Sequence, residues 1–160
     1  MSDAIPAGRM RLPDVAGRQY GAMLRLQGSI DLDHGVHDLV TLRASQVNGC
    51  AFCIDMHWKD ARARGETEER LYMLDAWRES ALYNERERAA LALAEAMTLI
   101  TTGHVPDVVW DEAAAHFDEY ELSQLLFAIT AINSWNRLMI STRTEAGHYQ
   151  PSTAVPAPAR

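Results

Sequence analysis

Apolar residues recur along this chain at three- and four-residue spacing, and no segment shows the strict alternation of a half-buried strand. The pattern predicts an all-α fold. A first helix is expected over Asp14–Gln27. From His34 to Val47 the set Val36, Leu39, Val40, Ala44 and Val47 has helical spacing, and Asn48-Gly49 supplies a stop and a turn. The next helix opens at Cys50 and runs through Ala61 to about Arg64, where Gly65 ends it. Thr67, followed by Glu68 and Glu69, reads as an N-cap with acidic residues on the helix dipole, leading through Leu71 and Leu74. Asn84 with Glu87 three residues on reads as a capping box. The helix it opens carries Leu93, Ala96, Met97 and Ile100 on one face, up to Gly103. Pro106 introduces Asp107–Phe117. A last long helix, Glu121–Met139, turns Leu122, Leu125, Leu126 and Ile129 inward, with Trp135 and Met139 as core or subunit-interface residues.

Composition narrows the class without naming a function. A chain of 160 residues makes one domain with a real core. The net charge of -7 and the lack of a basic block argue against nucleic-acid binding. No apolar run approaches a membrane span, and Met1–Arg11 has no apolar stretch of signal-peptide type, so a soluble cytoplasmic protein is expected. The tail Pro151–Arg160, rich in Pro and Ala, is expected to be loose or draped over a neighbour.

The only two cysteines stand three positions apart, Cys50-Ala51-Phe52-Cys53, and His57 follows four residues after the second. With Asn48-Gly49 just before them, they fall in the first turn of a helix. Free backbone N–H groups and the positive end of the dipole favour a thiolate there. Cys53 and His57 share a helical face, which places a base beside a nucleophile. If the helices flanking the turn fold back as a hairpin, Asp38 lies opposite residues 57–59, close enough to orient the imidazole. Cys53 is then the attacking thiol and Cys50 the resolving one. A redox pair, a partial metal site and an inert pair all fit a lone CxxC, although zinc needs a fourth ligand beyond Cys50, Cys53 and His57. His34, His37, His104, His116 and His148 show no ligand-like spacing, and Phe52 reads as packing.

The run from Asp38 to His57 strongly resembles the core of the carboxymuconolactone decarboxylase superfamily, in its alkylhydroperoxidase D-like branch. The likeness continues in Tyr83–Leu91, Gly103–Pro106 and Ala131–Leu138. It spans about residues 11–145 and leaves 146–160 as an extended tail. The resemblance implies a helical subunit assembling as a homotrimer or homohexamer, and a thiol peroxidase using no haem, flavin or metal cofactor. In such enzymes the CxxC thiols reduce a hydroperoxide and close to a disulfide. An external dithiol reductant, lipoyl-type or thioredoxin-like, reopens it. A glutamate twelve residues before the first cysteine and a histidine four after the second form a proton relay; those positions here are Asp38 and His57. Asp38 is thus a methylene shorter than the family's glutamate, and Phe52 stands where the well-studied peroxidase has a second histidine. Two further readings use the same residues: a dithiol–disulfide oxidoreductase or sensor acting on a protein, and a metal-binding oligomerisation module. Lactone decarboxylases of the superfamily lack the CxxC.

Overall fold

A computed structural model describes residues 8–152. Among these the chain forms helices α1 (Leu12–Val15), α2 (Gly17–Gly28), α3 (His34–Asn48), α4 (Ala51–Ala63) and α5 (Glu68–Tyr72). A 3-10 segment, Met73–Glu79, leads to α6 (Glu85–Thr98), α7 (Ile100–Gly103), α8 (Asp107–His116) and α9 (Glu119–Thr142). No strand occurs among the described residues, as the periodicity predicts.

Helix α3 is the axis of the fold. It packs on α4, α6 and α9, and Val36, Asp38–Leu42, Ala44 and Ser45 are buried on nearly every side of it. Such all-round burial is the mark of a central helix rather than an amphipathic surface one. Three apolar clusters meet on it. Val36 and Val40 join α6, α8 and α9 through Leu93, Ala113, Leu125 and Ile129. Leu39 and Leu42 join Leu71, Leu74, Trp77 and Leu91. Ala44, at the far end, joins Cys50, Cys53, Ile132, Trp135 and Met139.

The caps read from the sequence are formed. Thr67 accepts from the Arg70 amide, and Asn84 with Glu87 makes a complete capping box, as Asp118 with Glu121 does for α9. Charged residues tie the elements together around them. Glu95 on α6 accepts from Arg43 Nε of α3 at 2.7 Å and from Trp77 Nε1 at 2.9 Å.

The structure departs from the predicted elements in two places. The first helix is divided: Ala16, at φ -138° and ψ 41°, separates α1 from α2. The helix predicted to run to Gly103 breaks at Leu99, so Ile100 turns out to solvent at 46% exposure rather than onto the core face. Residues 147–149 run along α4 of the same chain. Gly147 N–H donates to Asp55 Oδ2, Lys59 Nζ to the Tyr149 carbonyl and Tyr149 O–H to Asp60 Oδ1 (2.8 Å). The polar face of α4 thereby supplies partners for the unpaired backbone of this stretch. The remainder of the predicted tail, residues 153–160, lies outside the described residues, as do residues 1–7.

The α3–α4 turn is a Schellman closure. Gly49 sits at φ 68°, its N–H reaching the Gln46 carbonyl, while the Cys50 N–H reaches the Ser45 carbonyl. Cys50 therefore ends one helix and caps the next. A Cβ at position 49 meets nothing within 4 Å, so Gly49→Ala is expected to cost only its backbone conformation, about 1 kcal/mol. Gly49→Asn should cost less, since Asn tolerates the left-handed region; equal losses of denaturant midpoint would contradict this account.

Candidate active site

Both thiols are 1% exposed, and their sulfurs lie 2.7 Å apart, sharing one hydrogen bond. The proton distribution across the pair is uneven. Cys50 is lowered to about 7, chiefly by its hydrogen bond with Cys53, against the opposing effect of burial. The amides of Cys53 and Phe52 assist, although no full capping hydrogen bond reaches the sulfur. Cys53 is pushed up, first by its hydrogen bond with Cys50, then by burial and by the neighbouring charge. The pair therefore loses its first proton more readily than a free thiol, with Cys50 at the helix N-cap favoured as the site of the charge.

A buried amide network supports the pair. Asn136, fully buried on α9, lowers both thiols through its side chain. Its Nδ2 donates to Ser45 Oγ (3.1 Å), and Ser45 Oγ donates to the Thr41 carbonyl (2.7 Å). Asn48 Nδ2 donates to Asn136 Oδ1 at 2.8 Å and to Asn133 Oδ1 at 2.9 Å. Asn133 Nδ2 in turn donates to Thr98 Oγ1. Each amide is satisfied, so the network rigidifies the floor of the site instead of destabilising it. The sequence carries a weak sign of it: Asn133 and Asn136 are polar positions on the otherwise apolar inner face of a long helix.

His57 is 4% exposed on α4 and its pKa is lowered to about 3. Burial is the main cause, reinforced by the charges of His37 and Arg64; the charge of Asp38 acts in the opposite sense. The imidazole is therefore neutral at pH 7. It lines a cavity of about 10 Å³ together with His37, Thr41, Gln27 and Trp135, the size of one water. Trp135 Nε1 is buried without a protein partner among the described residues.

Asp38 is buried on α3, one helix away from His57, but its carboxylate is taken by another group. Arg64, the C-cap of α4, binds both oxygens, Nε to Oδ2 at 2.8 Å and NH2 to Oδ1 at 2.5 Å. His37 Nδ1 stands 3.6 Å from Oδ1. Burial raises the carboxyl, but His37 and Arg64 outweigh it and hold it below the ordinary carboxylate range. The predicted hairpin is present, and Asp38 influences His57 through its field, with Arg64 as its direct partner. Arg64 and His37 are the site neighbours that spacing did not single out. No group of three or more His, Cys, Asp or Glu suited to a metal occurs among the described residues.

A profile of the Carboxymuconolactone decarboxylase family matches residues 20–96. The protein YdfG of Bacillus subtilis, itself uncharacterized, is 46% identical over 115 residues, which is 72% of this chain and 78% of YdfG. The crystal structure of ATU0492 from Agrobacterium tumefaciens, a protein of unknown function ascribed to AhpD-type antioxidant defence, superposes with a TM-score of 0.86 at 35% identity. That match covers 89% of this chain and 100% of ATU0492. The debrominase Bmp8 shares the fold at a TM-score of 0.73 and 21% identity, covering 85% of this chain and 73% of its own. The chain belongs to the carboxymuconolactone decarboxylase family, and its fold is the AhpD-like helical one.

The neutral, buried His57 sets a pH dependence of stability. Between its folded pKa of about 3 and the ordinary 6.5, the unfolded chain binds a proton that the folded chain does not. Stability should thus fall as pH drops below about 6.5, by roughly 1.4 kcal/mol per pH unit from this group. Chemical denaturation between pH 7 and 4.5 should show that slope in the wild type and lose it in His57→Gln. An unchanged slope in the variant would refute the assignment.

Proposed function

We propose that this chain is a thiol-dependent peroxidase working through a dithiol–disulfide cycle at Cys50 and Cys53. The observation that carries the reading is the pair of buried cysteine sulfurs 2.7 Å apart at a helix N-cap. The AhpD-like fold and the antioxidant ascription of ATU0492 support it. The Cys50 thiolate attacks the outer oxygen of a hydroperoxide. The O–O bond breaks, an alcohol leaves after taking up one proton, and Cys50 becomes a sulfenic acid. The Cys53 thiol then condenses with it, forming the disulfide and releasing water. An external dithiol restores both thiols and is itself oxidised to a disulfide.

This order reverses the one expected from the Cys53–His57 spacing. Its support is the lowered Cys50 and the raised Cys53. His57 keeps its place as the proton-transfer group, with Asp38 as its electrostatic neighbour. With so low a pKa it passes a proton on and does not store one. A cytoplasmic homotrimer or homohexamer fits the family and the exposed apolar side chains Phe127 and Ile140 on α9. Among the described residues, no helix is long and apolar enough to cross a membrane. A second reading, dithiol exchange with a protein partner, draws on Phe52, the apolar residue between the cysteines.

Two measurements test the proposal. Alkylation of the reduced protein by iodoacetamide should rise with pH through a midpoint near 7, not near 9. One equivalent of cumene hydroperoxide with dimedone should label Cys50 in Cys53→Ser and leave Cys53 unlabelled in Cys50→Ser. The reverse labelling would restore Cys53 as the nucleophile. A cycling disulfide with no hydroperoxide consumed, whether with dihydrolipoamide or thioredoxin, would favour the second reading.

A further inference from the structure

The thiols, at 1% exposure, have a cleft of about 600 Å³ beside them, within the size range of small-molecule sites. Leu12, Tyr20, Phe52 and Met139 line this cleft, and the same four side chains pack in the cluster that contains Cys50 and Cys53. One layer of apolar side chains therefore separates the cleft from the sulfurs. Phe52, from the middle of the CxxC, belongs to that layer.

The rim of the cleft has a different character. In a chain of net charge -7, it gathers Arg9, Arg11 and Arg143 against a single carboxylate, Glu145. The arginines are unequally committed. Arg9 donates NH1 to the Ser141 carbonyl at 3.1 Å, and its amide binds the Thr142 carbonyl at 2.8 Å. Arg11 faces Asp14 at 3.4 Å across an exposed pair. Glu145 is paired with His148 at 3.4 Å. The Arg143 guanidinium has no partner among the described residues. Its backbone sits at φ 53° and closes α9 in a position where glycine is the usual residue. The strand of chain from Gly8 to Pro13, tied to the end of α9 through Arg9, forms the opposite wall.

We infer that this cleft binds an amphipathic carboxylate, its apolar body against Leu12, Tyr20, Phe52 and Met139 and its acid group on Arg143 and Arg11. Guanidinium groups recognise carboxylates through paired charge-assisted hydrogen bonds, which the neutral hydroxyls of Tyr20, Thr142 and Thr144 in the same lining do not match for an uncharged headgroup. The inference rests on the thiol-peroxidase reading for its consequence: the favoured hydroperoxides are those that also carry a carboxylate. The acid group is held at the rim while the apolar chain displaces the layer over the sulfurs.

Calorimetric titration of the reduced full-length protein with octanoate, octan-1-ol and octylammonium tests this without turnover. Octanoate is expected to bind about tenfold or more tightly than the other two. Arg143→Gln and, separately, the exposed Arg11→Gln should reduce that preference, and octanoate should slow alkylation of the thiols in the wild type. Equal affinity for the three ligands would overturn the inference. So would a preference that survives both substitutions, or octanoate binding that leaves alkylation unchanged. Octanoate binding of the expected kind in a protein that consumes no hydroperoxide would support the acid site and sink the peroxidase reading. Peroxide turnover without octanoate binding would do the opposite.

Discussion

The backbone amide of Cys50 is committed to α3, while its carbonyl begins α4, where it accepts from the Ile54 amide. That double commitment, made possible by Gly49 in the left-handed region, fixes the rest of the site. It sets where the helix dipole of α4 begins, which sulfur receives its amides and how far Cys53 stands from Cys50. A one-residue shift in the turn would rotate α4 by about 100° and carry His57 away from α3. The turn itself is held from below by Asn48, whose side chain bridges Asn133 and Asn136 on α9.

Two kinds of polar burial lie around this turn, and they act differently. The amide network is neutral and fully paired, so it specifies geometry at small electrostatic cost. The Asp38–Arg64 pair is charged, with the carboxylate buried and the guanidinium reaching solvent. It pins the C-terminal end of α4 to the N-terminal part of α3, so the hairpin is tied at both ends. His57 lies between the two ties and has no ion-pair partner among the described residues. Its neutrality follows from that position.

The helices, their caps and the hairpin were legible because each depends on local chemistry: Asn84 with Glu87, Thr67, and Asn48-Gly49. Cys50 with Cys53, and Asp38 with His57, were legible as neighbouring pairs for the same reason, since helical spacing and one turn place them. What spacing does not contain is competition among partners. Arg64 lies twenty-six residues from Asp38 and reaches it from a helix end, beyond any face-matching argument. Asn136 belongs to α9 and meets the thiols only through tertiary packing. The break at Leu99 was hidden because the apolar pattern continues through Ile100 although the backbone does not.

The closeness of the two sulfurs has a consequence for recognition. They already stand within about an ångström of bonding distance, and the backbone of one is held by two helices. In the proposed dithiol–disulfide cycle, closing the bond removes a negative charge and a proton from the interior while asking for little movement. On that reading the two forms of the cycle keep nearly the same shape and differ mainly in electrostatic potential. A partner that distinguishes them must sense charge through one layer of side chains, so its discrimination should weaken wherever that layer is thickened or made polar.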